Sequence, residues 1–212
     1  MRTTTSPIAL EGLPFLGGAL VATAVAFLVF KPLALFFLAA TCFVAYFFRN
    51  PERTTPTDEK SVIAPADGRI IYVGPGMEGH LQEEMLKISI FMSVFNVHIN
   101  RAPLTGRVVD GFYRPGKFLD VRDERATFEN EQQGLILEHA DGSRMAVVQV
   151  AGLIARRIIC YVKPGDQLIR GQRYGLIRFG SRLDVYLPKS ATVKVALGDT
   201  SVAGETILGY LP

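Results

Sequence analysis

The side chains best suited to nucleophilic and acid–base chemistry in this chain are Ser181, His98 and Asp67. Ser181 follows Gly180 between two apolar stretches, 176–179 and 183–187, that alternate like strands. Taken alone, Gly-Ser is an ordinary turn. A serine hydroxyl acting as a nucleophile needs a base. Of the three histidines, His98 is the best placed, flanked by Val97 and Ile99, so that in an extended chain it points opposite to both. The same pattern also suits a half-exposed strand histidine. His80 sits among Glu78, Gly79 and Glu83, and His139 precedes Asp141-Gly142, so both read as surface residues. Asp67, in Ala64-Pro65-Ala66-Asp67-Gly68, could orient and charge-stabilise His98 in the manner of a serine–histidine–aspartate triad. Pro-x-Asp-Gly is equally a common turn.

These residues need a scaffold, and the sequence describes one. The 212 residues suffice for a domain of ordinary size with a real core. The hydrophobic fraction is 49%, and its excess lies in the first fifty residues. A net charge of +3 is too weak and too scattered to argue for nucleic acid. Cys42 and Cys160 lack neighbours at metal-ligand spacing, so no metal site is expected and two buried thiols are the plainer reading. Residues 13–30 and 33–48 are apolar, interrupted by Lys31-Pro32. As one helix the stretch would be about 54 Å long, against a bilayer core of about 30 Å. Two short helices turning at Lys31-Pro32 fit better. Their length leaves a re-entrant hairpin open. Arg49, Arg53 and Lys60 outweigh Lys31, which places the following domain, and Arg2 with it, on the cytoplasmic side of the cell membrane.

The expected organisation is a membrane anchor over 1–50, a polar linker over 51–61 and a β domain over 62–212. Short apolar runs split by Gly, Pro and Asp follow one another, with a hairpin signal at Ala140-Asp141-Gly142-Ser143. They argue for a mainly β barrel or sandwich. Only 117–132 reads as helix or long loop. The corners at 163–172 and 199–209 are similar and look like related halves of one barrel, a duplicated hybrid (lipoyl-like) motif; no longer repeat is expected.

The ordered set Ala64-Pro65-Ala66-Asp67-Gly68, Phe91 to Pro103 with Phe95-Asn96-Val97-His98, and Phe179-Gly180-Ser181 resembles the phosphatidylserine decarboxylase family in its short prokaryotic form, from about Phe47 to the C-terminus. The resemblance implies that the chain cuts itself between Gly180 and Ser181 into fragments 1–180 and 181–212, which stay associated. Ser181 becomes a pyruvoyl group, the covalent cofactor whose carbonyl forms a Schiff base with the substrate amine and takes up the electrons left by CO₂. The expected reaction is phosphatidylserine to phosphatidylethanolamine and CO₂, on a phospholipid in the membrane. His98 and Asp67 then serve as base and partner, and Phe95, Asn96, Asn100 and Arg101 shape the substrate pocket. Gly116-Lys117-Phe118 and Asn130-Glu131 are similar to family segments near the substrate. Longer members carry two histidines three residues apart; here the matching pair is His98 and Arg101. Whether His98 serves both cleavage and decarboxylation is left open. So are an ether-linked archaeal serine lipid (archaetidylserine) as substrate, a non-catalytic membrane-tethered lipoyl-like module, and assembly into a homo-oligomer.

Overall fold

The computed structural model describes residues 6–153, 157–178 and 180–211. Arg2 and Phe179, used in the sequence reading, lie outside them. The described residues divide into two compact units, one ending at Glu52 and one beginning at Arg53.

The first unit is a helical hairpin. A 3₁₀ turn, Leu10–Gly12, runs into α1 (Leu13–Val29), and α2 (Lys31–Phe47) packs back against it. Each helix has proline in its first turn, Pro14 and Pro32, where the missing N–H costs no intrahelical bond. Phe30, extended at φ −154° and ψ 100°, reverses the chain. Thr23 Oγ1 and Thr41 Oγ1 lie 3.0 Å apart across the helix pair. At the open end Ala9 N–H donates to the Phe48 carbonyl and Asn50 N–H to that of Pro7, both at 2.8 Å. Leu10–Val29 is long and apolar enough to cross a membrane, and Lys31–Phe47 is shorter. Leu28, Val29, Leu35 and Phe36 are exposed, which is costly in water and costs nothing in lipid. Cys42 is exposed on α2 rather than buried. Cys160 is half-buried, its thiol donating to the Val162 carbonyl.

The second unit holds fourteen strands: β1 (Ser61–Ile63), β2 (Gly68–Glu78), β3 (Glu83–Met92), β4 (Ile99–Arg101), β5 (Gly106–Arg114), β6 (Gln132–Glu138), β7 (Arg144–Ala151), β8 (Ile158–Cys160), β9 (Gln167–Leu168), β10 (Arg173–Ile177), β11 (Ser181–Leu187), β12 (Thr192–Val193), β13 (Thr200–Ser201) and β14 (Ile207–Tyr210). The large sheet has the order β13-β2-β3-β11-β7-β6-β5-β9, and two small sheets read β1-β14-β12 and β4-β10-β8. Every pairing between these strands is antiparallel.

The large sheet reads symmetrically outward from β11 and β7, and the two small sheets correspond strand for strand. The domain is therefore built from two related halves, as the corners had implied. The repeat also runs further than expected. Ala64-Pro65-Ala66-Asp67-Gly68-Arg69-Ile70-Ile71 corresponds to Ala102-Pro103-Leu104-Thr105-Gly106-Arg107-Val108-Val109. A β-bulge falls at the same place in both, between Ile70 and Tyr72 and between Val108 and Asp110. The halves clasp reciprocally: Ile63 N–H donates to the Pro103 carbonyl and Arg101 N–H to the Pro65 carbonyl, each at 2.9 Å.

Following the registers outward makes β11 equivalent to β7, so that Gly142-Ser143-Arg144 matches Gly180-Ser181-Arg182. In one half β6 and β7 are joined by the hairpin foreseen at 140–143. In the other, β3 and β11 pair in the same way but are not joined there, because the chain leaves β3 to build the whole other half before returning.

The core lies on one face of the large sheet, where Ile88, Ile90, Leu183 and Val185 are fully buried; each such side chain contributes about 1.5–3 kcal/mol of burial. Residues 53–60 are not a free tether. Arg53 pairs with Asp67, Thr54 N–H donates to Glu205, and Arg170 Nη2 donates to the Pro56 carbonyl at 2.7 Å. The 117–132 segment is a loop with one short helix, Ala126–Glu129.

Candidate active site

Ser181 opens β11, the strand hydrogen-bonded to β3 on one side and β7 on the other. Its side chain is fully buried, and Oγ donates to the Met92 sulfur at 3.5 Å. A thioether is a weak acceptor, so this contact holds the hydroxyl loosely. The same sulfur receives Asn100 Nδ2 at 3.8 Å, and Asn100 Oδ1 accepts from Gln149 Nε2 at 2.8 Å, all within the buried interior. Two of the residues singled out in the sequence, Ser181 and Asn100, thus meet through a third, Met92.

Gly180 has φ +61°, in the left-handed region that disfavours side chains. Its carbonyl oxygen lies against Gly152, where an added Cβ would be 2.3 Å from it. A cleft of about 280 Å³ opens beside this peptide, lined by Phe91, Ser93, Val94, Asp120, Val121, Arg122, Leu153 and Gly180.

His98 is buried just before β4, and its carbonyl accepts from Ile177 N–H at 3.3 Å at the end of β10. It therefore flanks the segment that leads into Gly180-Ser181. Nδ1 lies 3.0 Å from the Asn96 carbonyl. A proton on Nδ1, donated there, leaves the basic lone pair on Nε2. Asn96 Oδ1 accepts from both the backbone and the hydroxyl of Ser93 at 2.8 Å and shapes the turn before His98. Phe95, on that turn, is 64% exposed and presents an apolar ring to solvent. Arg101 is buried and Nη1 donates to the Gly171 carbonyl at 2.9 Å.

Asp67 is held by two groups. Arg53 Nη2 approaches its carboxylate at 2.9 and 3.2 Å, and Ala203 N–H donates to Oδ1 at 2.8 Å. The second bond has a counterpart in the other half, where Thr105 Oγ1 accepts from Arg170 N–H at 3.1 Å. Asp67 thus caps a corner that a hydroxyl caps in the repeat, and carries in addition a charge that the repeat lacks.

A charged cluster escaped sequence reading. On the opposite face of β11 from Ser181, Arg182 is 3% and Asp184 1% exposed, and Lys87 from β3 joins them. Arg182 Nε and Lys87 Nζ lie 2.8 and 3.2 Å from the Asp184 carboxylate. Burial pushes the Asp184 carboxyl up, but Arg182, Lys87 and the Ser89 hydroxyl together hold it below the ordinary carboxylate range. Arg182 Nη1 also donates to the Val121 carbonyl at 2.6 Å, and Nη2 to Thr127 Oγ1 at 2.8 Å. Asn130 binds the carbonyls of Leu119 and Ala151. The 117–131 loop, which supplies Asp120, Val121 and Arg122 to the cleft, is therefore fastened at one end to the residue after Ser181 and at the other to its neighbour on β7.

A buried serine opening a central strand, behind a glycine in left-handed backbone and beside a cleft, defines a β domain arranged around one peptide bond. A model of the phosphatidylserine decarboxylase family matches residues 40–209. Phosphatidylserine decarboxylase proenzymes of Geotalea uraniireducens, Geobacter metallireducens and Syntrophotalea carbinolica are 68%, 67% and 51% identical to the chain, each over the full length of both. The chain belongs to the phosphatidylserine decarboxylase family.

Proposed function

We propose that this chain is a proenzyme that cuts itself between Gly180 and Ser181 and then decarboxylates phosphatidylserine to phosphatidylethanolamine. The observation that carries the reading is the Gly180-Ser181 peptide itself, with its serine buried and its glycine in left-handed backbone. Family membership supplies the reaction class.

His98 Nε2 takes the Ser181 hydroxyl proton as Oγ bonds to the Gly180 carbonyl carbon. The C–N bond then breaks and the amine takes up a proton, turning amide into ester. Loss of the Ser181 Cα proton expels the Gly180 carboxylate and leaves dehydroalanine. Water then converts this to a pyruvoyl group and ammonia. Ser181 fits that fate, because the group forms in a site already shielded from bulk water by β3 and β7. The pyruvoyl carbonyl supplies the electron sink for decarboxylation. The Asn96 carbonyl holds the His98 ring through Nδ1, and Asp67 acts on it by its charge from its corner. Arg122 in the cleft is paired with Asp120, and a substrate phosphate or carboxylate would compete for that guanidinium, while Phe95, Asn96, Asn100 and Arg101 shape the approach from the β4 side. The helical hairpin holds the domain at the membrane, with both hairpin ends cytoplasmic, where a lipid substrate is met without leaving the bilayer. Fragments 1–180 and 181–212 stay together through β11.

The test is intact mass under denaturing conditions together with turnover. The purified protein should give two chains, the smaller with a blocked first residue, and Ser181→Ala should give one inactive chain. Phosphatidylserine in vesicles should release CO₂ without added pyridoxal phosphate, whereas free serine, lacking remote binding energy, should react poorly. An active, uncut wild-type chain would overturn the reading.

A further inference from the structure

The attack on the Gly180 carbonyl turns its oxygen into an oxyanion, so where that oxygen lies decides whether the attack can occur. Continuing the β11–β7 register beyond Ser181↔Ala151 places Gly180 opposite Gly152. A Cβ built on Gly152 would fall 2.3 Å from the Gly180 oxygen, 3.1 Å from its carbonyl carbon and 3.2 Å from Val121 Cγ1. The oxygen belongs to the backbone and cannot swing aside like the end of a flexible side chain. Relief would require the Gly180–Ser181 peptide plane to turn, which changes the direction from which Oγ meets the carbon. The equivalent peptide, Gly142-Ser143, has no such neighbour, because the strand facing it has already turned at Pro188, whose carbonyl accepts from Ala191 N–H.

We infer that Gly152 is a positioning residue for self-cleavage: its missing side chain is the space in which the Gly180 carbonyl oxygen is held for attack by Ser181. The inference rests on the processing reading above. Gly152 touches the reacting carbonyl only through backbone atoms, and its contribution is to keep that oxygen in place as charge develops on it. A displacement of about 1 Å from the reactive geometry can cost about 10²-fold.

The experiment follows cutting of the full chain, synthesised in detergent micelles, by intact mass over time. Gly152→Ala is compared with wild type and with Gly209→Ala, whose added Cβ would meet the Thr192 carbonyl oxygen at the same 2.3 Å but far from the cut. Gly152→Ala should cut at least about 100-fold more slowly while keeping its protease-resistant fold, and Gly209→Ala should cut normally. Hydroxylamine, which cleaves esters, should speed cutting of the wild type and release nothing from Gly152→Ala, because the ester has not formed. Cutting of Gly152→Ala at the wild-type rate, loss of its fold, or an ester that hydroxylamine releases would each overturn the inference. An uncut wild type would instead sink the processing reading itself.

Discussion

The domain contains the same tripeptide twice in equivalent places, Gly142-Ser143-Arg144 and Gly180-Ser181-Arg182. Both glycines have positive φ, +86° and +61°. Ser143 lies in a hairpin, with its carbonyl bonded to His139 N–H and its own N–H to Asp141. Ser181 is buried between two strands against a methionine sulfur. Arg144 pairs at the surface with Glu138, whereas Arg182 is sunk beside Asp184 and Lys87. What differs is therefore not the dipeptide or the backbone region but the surroundings, chiefly burial and a glycine facing the carbonyl. A glycine–serine peptide becomes a reaction site when the fold closes around it and leaves the carbonyl one place to go.

Three sets of substitutions test that contrast by treating the halves in parallel. The largest effect is expected from the histidines. His98→Ala should slow cutting by about 10²–10⁴-fold, the usual cost of removing a positioned acid–base group, and His139→Ala beside the other Gly-Ser should leave it unchanged. A time course by gel or mass checks both. A folded His98→Ala chain that cuts normally would move the base elsewhere.

Next comes the cluster around the arginine. Asp184→Ala strands two buried cations and should destabilise the domain by about 3–5 kcal/mol. Glu138→Ala removes a surface pair and should cost less than about 1 kcal/mol. The Asp184 carboxyl is held below its unfolded value, so its contribution is fully present above about pH 3.9 and is lost as pH falls through the lower folded value. The gap in thermal midpoint between wild type and Asp184→Asn should accordingly stay constant from neutral pH to about 5 and narrow below about 4. A gap that widens on acidification would contradict the ion-pair assignment.

The smallest effect separates two roles of one residue. Asp67→Thr copies the repeat, where Thr105 already caps the corner, so the cap should survive while the largely buried pair with Arg53 is lost and the thermal midpoint falls. If the carboxylate steadies His98, cutting should also slow by at least about tenfold. An unchanged rate would make Asp67 a corner and ion-pair residue alone.

Much of this was legible in the chain. The hairpin followed from apolar length and Lys31-Pro32, and most strands followed from alternation bounded by glycine and proline. The longer repeat was not seen, because Ala-Pro, Gly-Arg and two β-branched residues are a thin signal and the first half is split by the whole of the second. Lys87 was hidden for a different reason. In Leu86-Lys87-Ile88-Ser89-Ile90 the alternation marks one face polar, and polar reads as solvent. The 117–131 loop covers that face, and nothing in the spacing of the strand says so. Gly152 carried no signal either, since its importance lies in a contact with a carbonyl distant in sequence.

The position of β11 in the sheet has a consequence for the history of the molecule. The domain folds as one chain, with the closing of β11 between β3 and β7 an intramolecular event at high effective concentration. After the proposed cut the same strand belongs to a separate 181–212 peptide, and the assembly that was once first order in chain becomes second order. Dilute denatured enzyme should then recover slowly and in proportion to its concentration, while the uncut Ser181→Ala chain refolds at a rate independent of it. The mature protein is in this sense a kinetic product, kept together by a sheet that it could build quickly only before it was cut.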